Sequence, residues 1–340
     1  MDTYWDIFVN GYTGYAAYIW KEITFQVEPF WKNYFWMLIA VSAFFFLLEV
    51  ARPWRENQPR FRKDFWLDFF YMFFNFFLFS LIIYNASSDV IVNLFNNGIE
   101  AIAGFDLQSM NPMNSWPLWA ILITGFFVRD FVQWWVHRLL HRSNRLWEFH
   151  KVHHSVEQMG FAAHLRYHWM ENIVYRSIEY IPLALLGIGL HDFFLIHIFT
   201  LAWGHYNHAN WHVSGRVTGA VTFGLLGLLI ASTGFELPLM NDIGIALGGG
   251  AFGAIVMGPY MKYLFNSPEM HIWHHAYELP KDRQYGVNFG LTLGIWDYIF
   301  KTNYIPHDGR DIRLGFPGIE EFPDSFVGQN LHGIADKKET

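Results

Sequence analysis

The chain has 340 residues, of which 53% are hydrophobic, 20% aromatic and 16% charged. Soluble domains carry about 25% charged residues, so the composition argues against an ordinary water-soluble fold and for a lipid-facing surface with aromatic belts. The net charge of −7 gives no basis for nucleic-acid binding, and the lack of cysteine excludes disulfides, iron–sulfur ligation and thiolate metal ligands.

Residues 1–30 read as an N-terminal non-cytoplasmic segment that starts Met1-Asp2-Thr3, without the basic stretch of a cleavable signal peptide. Uncharged apolar stretches follow at Asn33–Leu48, Phe69–Ser88 and Leu107–Val128. They predict membrane spans near 31–50, 65–85 and 116–136. The link between the first two holds Arg52, Arg55, Arg60, Arg62 and Lys63, whereas 85–115 holds Asp89, Glu100 and Asp106 and no Lys or Arg. Segment 137–176 is basic again, with Arg138, Arg142, Arg145, Lys151, Arg166 and Arg176. The positive-inside rule therefore puts 137–176 in the cytoplasm.

Residues 178–204 are apolar but interrupted by Gly187, Gly189 and His191-Asp192. That length is too short for two crossings and predicts a re-entrant helical hairpin. Two further uncharged stretches, Val217–Phe235 and Ile243–Met261, are separated by Glu236, Pro238 and Asp242. They predict an inserted hairpin within 213–261 that leaves the cytoplasmic face and returns to it. Its Gly248-Gly249-Gly250 run points to close packing in a bundle. From residue 276 the chain turns polar and loop-rich, as a cytoplasmic cap would, with 306–340 as its tail.

Four histidine clusters stand out: His137-Arg-Leu-Leu-His141, His150-Lys-Val-His153-His154, His208-Ala-Asn-Trp-His212 and His271-Ile-Trp-His274-His275. On a helix, positions i, i+3 and i+4 share a face, so each cluster aims its imidazoles one way. Imidazole is a common ligand of iron, zinc, copper and nickel. Ten such side chains exceed the need of one ion and suit two. A single H-x-x-x-H pair is more often packing than a metal site, and lone histidines have plain readings. His197 reads as buried and satisfied, His191 as a polar turn residue, and His307 and His332 as solvated. Solvated faces do not repeat the cluster spacing, and unliganded imidazoles near lipid are costly. The H-E-x-x-H signature of zinc hydrolases is absent, because Arg138 follows His137.

Groups that would orient the ligands can also be read. Asp130 lies two turns before His137 on the same helical face, placed either to accept a ligand N–H or to pair with Arg129. His168 and Glu171 lie at i, i+3, with Glu171 beside a ligand or paired to Arg166 or Arg176. His205 stands behind His208 and His212. Of these last two, His208 is the stronger ligand candidate, and Asn210 or a water is the alternative to His212.

Taken in order, these elements resemble the fatty acid hydroxylase/sterol desaturase superfamily of membrane di-iron enzymes, over roughly residues 45–305. The resemblance rests on Glu49-Val-Ala-Arg52-Pro53, on Asp130 ahead of HRLLH, and on LWEFHKVHHS at 146–155. It continues with Arg166-x-His168-x-x-Glu171, NHAN at 207–210, SPEMHIWHH at 267–275, Tyr285-Gly286 and Trp296-Asp297. It implies an all-α polytopic membrane bundle whose domain spans 31–305, with a cytoplasmic histidine-rich di-metal cap. It further implies two iron ions held by His137, His141, His150, His153, His154, His271, His274 and His275, with His208 and His212 matching an additional box. Family activities are hydroxylation, desaturation and oxidative demethylation of fatty acids, sterols, carotenoids and ether lipids. The chain departs from the pattern at Gln284, often Asn, at Lys301, usually Gly, and in the length of 213–261.

The expected function is therefore a membrane di-iron oxygenase that uses dioxygen and external electrons to hydroxylate, or desaturate, an unactivated C–H of a lipid. No haem-type domain is read in the chain, so the electrons are expected from a separate ferredoxin- or cytochrome-type partner with its reductase. The expected location is a bacterial inner membrane or the endoplasmic reticulum, with the active site on the cytoplasmic side. Two other classes compete. A zinc-dependent lipid hydrolase needs fewer ligands and a nearby general base. A metal- or electron-carrying membrane protein would place its ligands at mid-membrane depth.

Overall fold

A computed structural model describes residues 3–80, 85–104, 115–185, 190–232 and 241–334. Among the described residues the fold is all-helical, with isolated bridges at Phe265–Leu293 and Ala276–Leu314 in place of any sheet.

Helix α1 (Tyr4–Ile23) is started by a capping box, in which the Thr3 side chain accepts from the Asp6 N–H and the Asp6 carboxylate accepts from the Thr3 N–H. Helix α2 (Tyr34–Ala51) matches the first predicted span and is capped by the Asn33 side chain. Helix α3 (Phe65–Phe73) runs into a π-helical turn at Phe74–Leu78. The end of the second predicted span, 81–84, lies outside the described residues. Helix α4 (Asn85–Ala103) was not anticipated as an element and packs on α1. Gly11 allows that approach, since a Cβ there would lie 2.6 Å from the Asp89 carboxylate.

The third predicted span is part of a longer helix. Helix α5 (Leu118–Arg142) carries 116–136 straight on into the first histidine cluster. Its buried Arg129 donates to Glu179, Thr200 and His197, so the charge inside an apolar stretch is paired within the bundle. Helix α6 (Asn144–His154) follows after one capping residue, Ser143. Helices α7 (Trp169–Leu185) and α8 (Leu190–His208) flank residues 186–189, which lie outside the described residues. The pair is longer at both ends than the predicted 178–204, and His191 falls within α8 rather than in a turn.

Helix α9 (Gly215–Ser232) packs antiparallel to α10 (Asp242–Phe252), which continues through a π-turn and a 3₁₀ turn into α11 (Met261–Leu264). The seam is made of backbone. A Cβ on Gly219 would lie 2.3 Å from the Gly253 carbonyl oxygen, and one on Gly227 2.7 Å from that of Ile245. The outer faces stay apolar, with Val221, Leu225, Ile243, Leu247 and Ile255 exposed. Among the described residues two helices are long and apolar enough to cross a membrane, Tyr34–Ala51 at mean hydropathy 2.0 and Asp242–Leu264 at 1.5. Their windows are only 22% and 17% buried, so their apolar surface faces outward rather than into a core.

Three short helices complete the cap: α12 (Pro268–His274), α13 (Ile295–Ile299) and α14 (Phe326–Leu331). The C-terminal stretch is docked, not solvated. Tyr71 donates its hydroxyl to Gln329, Asn330 donates to Tyr71, and Trp169 donates its indole N–H to the Asn330 carbonyl. The Phe326 ring sits 4.7–4.9 Å from those of Phe70, Tyr71 and Phe74. His332, read as solvated, is instead 2.8 Å from the Glu148 carboxylate. His307 is exposed as expected.

Candidate di-metal centre

Four elements bring the histidines together. The last turns of α5 carry His137 and His141, and α6 carries His150, His153 and His154. His208 ends α8, while α12 with its C-cap supplies His271, His274 and His275. These nine rings fall into two groups, His137, His141, His150, His154 and His274, and His153, His208, His271 and His275. Within each group one nitrogen per ring lies within 4.8 Å of all the others. All are buried except His141, which is half-buried.

The ring nitrogens show what such a site needs. Neutral imidazole has one N–H and one lone pair. The Nδ1–H of His137 is 2.8 Å from the Phe289 carbonyl oxygen, and that of His274 2.8 Å from that of Val287. His208 reaches the Gly204 carbonyl at 2.8 Å and His153 that of Arg166 at 3.3 Å. His150 meets the Glu171 carboxylate at 3.0 Å. These bonds assign the proton to Nδ1 and leave Nε2 as a bare lone pair. Yet Nε2 of His137 faces Nε2 of His150 at 3.1 Å, and Nε2 of His208 faces that of His153 at 3.4 Å. Two lone pairs at that range repel unless a cation lies between them. Nε2 of His141, His154 and His274 and Nδ1 of His275 are buried with no partner at all. Each such orphan costs about 1–3 kcal/mol, and coordination removes that cost. The residues therefore fit two metal ions.

Burial also sets the protonation state. Desolvation pushes His137 down to about 4, and holds the other eight well below the usual imidazole value, with the neighbouring imidazoles adding to the effect. The rings are thus neutral at pH 7, as ligation requires.

The surrounding groups divide differently. Glu171 takes up the expected orienting place, through His150 rather than through Arg166 or Arg176. Arg166 is held by Asp64 and Asp68. His168, expected among the orienting groups, bonds to no ligand ring; it stacks on Phe149 and accepts from the Met170 N–H. His205 lies behind His208 as expected, bonded to Ser42 and to His164. His164, to which the sequence pattern assigns no role, has its ring 5.2 Å from that of His208.

Two more expectations are corrected. Asp130 orients no histidine and pairs with no arginine. Its carboxylate accepts from the backbone N–H groups of Thr292 and Leu293 and from the indole of Trp296. His212 joins neither group. Helix α8 ends at His208, because Glu49 accepts the Asn210 N–H and the Asn210 side chain pairs with the backbone of Arg55. The i, i+4 spacing therefore has no helix to act on, and His212 sits 3.8 Å from Glu269 and beside Trp54. Asn210 likewise faces Arg55 and not the centre.

Sequence reasoning passed over Asn266, Trp147 and the loop 287–293. Trp147 packs 4.9 Å from His141 and 5.1 Å from His154. Tyr285-Gly286, Trp296-Asp297 and Asp130 were the signals near the loop. Gly286 has φ +101°, and a Cβ there would lie 2.8 Å from Nδ1 of His141.

The family model for fatty acid hydroxylase matches residues 122–235. That range holds the clusters from His137 to His208 and stops before His271. The last cluster, His271 to His275, is nonetheless folded into the same centre. Over 205 residues the chain is 26% identical to the ornithine lipid hydroxylase OlsE of Rhizobium tropici, covering 60% of this chain and 48% of that protein. Over 201 residues it is 25% identical to the very-long-chain aldehyde decarbonylase GL1-10 of Oryza sativa subsp. japonica, covering 59% and 50%. The chain thus spans about half the length of the curated relatives it matches. No solved structure matches it.

Proposed function

We propose, from the premise that this chain carries a fatty acid hydroxylase domain, that it is an oxidoreductase acting on a lipid, with two iron ions, dioxygen and an external electron donor. The observation that carries this reading is the pairing of unprotonated imidazole nitrogens in two buried groups. His137, His141, His150, His154 and His274 would hold one ion, and His153, His208, His271 and His275 the other. Bound there, a redox-active metal pair supplies the activation of dioxygen that attack on an unactivated C–H demands.

The chain's own residues prepare the site. The five carbonyl and carboxylate acceptors fix ring orientation and keep Nε2 free. Neutral imidazoles add no negative charge, which favours an oxidising metal. Burial excludes bulk water, and Glu171 holds the Nδ1 proton of His150.

The domain arrangement follows the same reading: a non-cytoplasmic segment 1–30, a membrane domain 31–305 with the inserted hairpin 213–261, and a cytoplasmic tail 306–340. The protein is multi-pass, its centre is cytoplasmic, and its substrate (a fatty acyl chain, sterol, carotenoid or other lipid) enters from the bilayer. A separate ferredoxin- or cytochrome-type partner delivers electrons. The test is metal analysis with an oxygen-uptake assay on the purified chain. About two irons per chain with reductant-dependent oxygen consumption supports the proposal. Zinc with oxygen-independent lipid hydrolysis overturns it.

A further inference from the structure

We infer that Asp297 and Asp130 are positioning residues, which clamp the backbone loop 287–293 into a collar that aims ligands of both histidine groups. The inference rests on the metal reading above. A ligand histidine donates its other ring N–H to a carboxylate, a backbone carbonyl or a water. Here much of the work falls to one irregular loop. Its Val287 carbonyl accepts from His274 and its Phe289 carbonyl from His137. Its Gly290 carbonyl accepts from the Asn266 amide at 2.5 Å, and that same amide nitrogen lies 3.2 Å from Nδ1 of His271. Its Leu291 carbonyl takes the Asn207 amide at 2.6 Å, one residue from His208.

A loop has no hydrogen-bond ladder of its own to fix where its carbonyls point. The two carboxylates do this from beneath. Asp297 accepts from the N–H groups of Phe289 at 2.9 Å and Gly290 at 2.8 Å, and also from Trp134 and Thr302. Asp130 accepts from Thr292 and Leu293, both at 3.2 Å, and from Trp296 at 2.8 Å. Both are fully buried, a placement that is tolerable only because each is so well supplied with donors. Asn288, at φ +53°, ties the collar to α12 and to Tyr304 through its side chain. Neither carboxylate touches a ligand ring, so each acts through the backbone.

The clamps bear on the two groups unequally. Asp297 holds Phe289, whose carbonyl faces His137 in the five-histidine group, and Gly290, whose carbonyl meets the four-histidine group only through Asn266. Asp130 holds Thr292 and Leu293, and the Thr292 carbonyl in turn accepts from the Asn266 N–H beside His271 in the four-histidine group. In D297N or D130N the new amide nitrogen would face N–H donors and release one side of the collar.

The experiment loads the detergent-purified full chain with cobalt(II). It follows the visible absorption during chelator titration, and the unfolding temperature of the metal-free protein alongside. H141A and H275A assign the two phases to the five- and four-histidine groups. D297N is expected to weaken the five-histidine phase by about tenfold or more, the usual range for outer-shell partners. The four-histidine phase, which Asp297 reaches only through Gly290 and Asn266, should weaken clearly less. D130N should do the reverse. T302V, which removes one donor to Asp297, should give a milder loss in the five-histidine phase and serves if D297N does not accumulate. Equal weakening of both phases, in step with a lower unfolding temperature, would make the role merely structural and overturn the inference. So would unchanged curves on a wild type that holds two cobalt ions. A wild type that takes up no cobalt overturns the metal reading itself.

Discussion

The histidine centre and the α9–α10 hairpin solve opposite problems with the same helical backbone. At the centre, polar side chains are buried and ring after ring is given an acceptor for one of its nitrogens, which leaves the other free. In the hairpin the side chains face outward and are apolar, while the interior is a glycine seam of backbone against backbone. The first region devotes its sequence to chemistry, the second to shape. Substitutions in one should therefore change metal binding with little change in membrane behaviour, and the reverse should hold in the other.

The largest effect should come from removing a ligand. His274→Ala takes a ring from the five-histidine group and is expected to lose one metal equivalent, with turnover falling by more than the 10–100-fold of outer-shell changes. His212→Ala is the contrast, because that ring faces Glu269 and lies outside both groups. It should keep about two metals per chain and near-normal turnover. Metal analysis of the two purified variants checks both, and a lost equivalent in His212→Ala would return that residue to the ligand set.

Acid should come next. His137 has a folded value near 4 against an ordinary 6.5, because burial disfavours its charged form. Between these values the unfolded chain takes up protons that the folded protein refuses. The stability of the metal-free protein is therefore full above about pH 6.5 and falls as the pH drops towards about 4. The other eight rings shift in the same direction and add to the loss. Bound metal stabilises the folded form, so the metal-loaded protein should keep its stability to lower pH than the metal-free one. Melting curves across that range test the sign, and a protein that gains stability on acidification would contradict it.

The hairpin predicts a smaller effect. A Cβ on Gly253 would lie 2.0 Å from the Gly219 carbonyl oxygen, so Gly253→Val must part the two helices. Overpacking of this kind costs about 1–3 kcal/mol. Proteolytic sensitivity within 213–261 should rise while the metal content holds at two. A label at Asp242 should react from the side opposite the centre. Reaction from the cytoplasmic side alone would turn the crossing hairpin into one that lies on or re-enters the membrane.

How much of this was legible depends on whether a feature is written in residue identity. Helical spacing with a rare residue type pointed to ten histidines, and nine of them converge in the structure. His212 failed because its spacing was right but the helix stops at His208, and the signal for that stop was the distant Glu49. The α9–α10 pair was readable from its apolar stretches and glycines. Helix α4 was not, because its residues are too polar to register as a span. Docking of 316–334 depends on Tyr71 and Trp169, which lie far away in sequence. The collar 287–293 was the least legible part. Its carbonyls belong to every residue alike, and only Tyr285-Gly286, Trp296-Asp297 and Asp130, which was assigned to the wrong partner, hinted at it.

The smallest effect concerns Lys301, where the resemblance led one to expect glycine. Helix α13 ends there in a Schellman turn. The Thr302 N–H bonds the Asp297 carbonyl, the Lys301 N–H bonds that of Tyr298, and Lys301 itself takes φ +58°. That left-handed conformation costs a residue with a side chain about 1–2 kcal/mol. Glycine removes the strain but gives the unfolded chain more freedom, worth about 0.4–1 kcal/mol in the other direction. The relief of strain exceeds that loss, so Lys301→Gly should raise stability by about 0.5–1 kcal/mol. The exposed Lys301 side chain lies outside both histidine groups, and Asp297 would keep its hold on Phe289 and Gly290. Metal binding should therefore stay unchanged. Thermal unfolding of the metal-free variant measures the gain. A loss of stability would mean that the lysine side chain contributes something at this turn that outweighs its backbone strain.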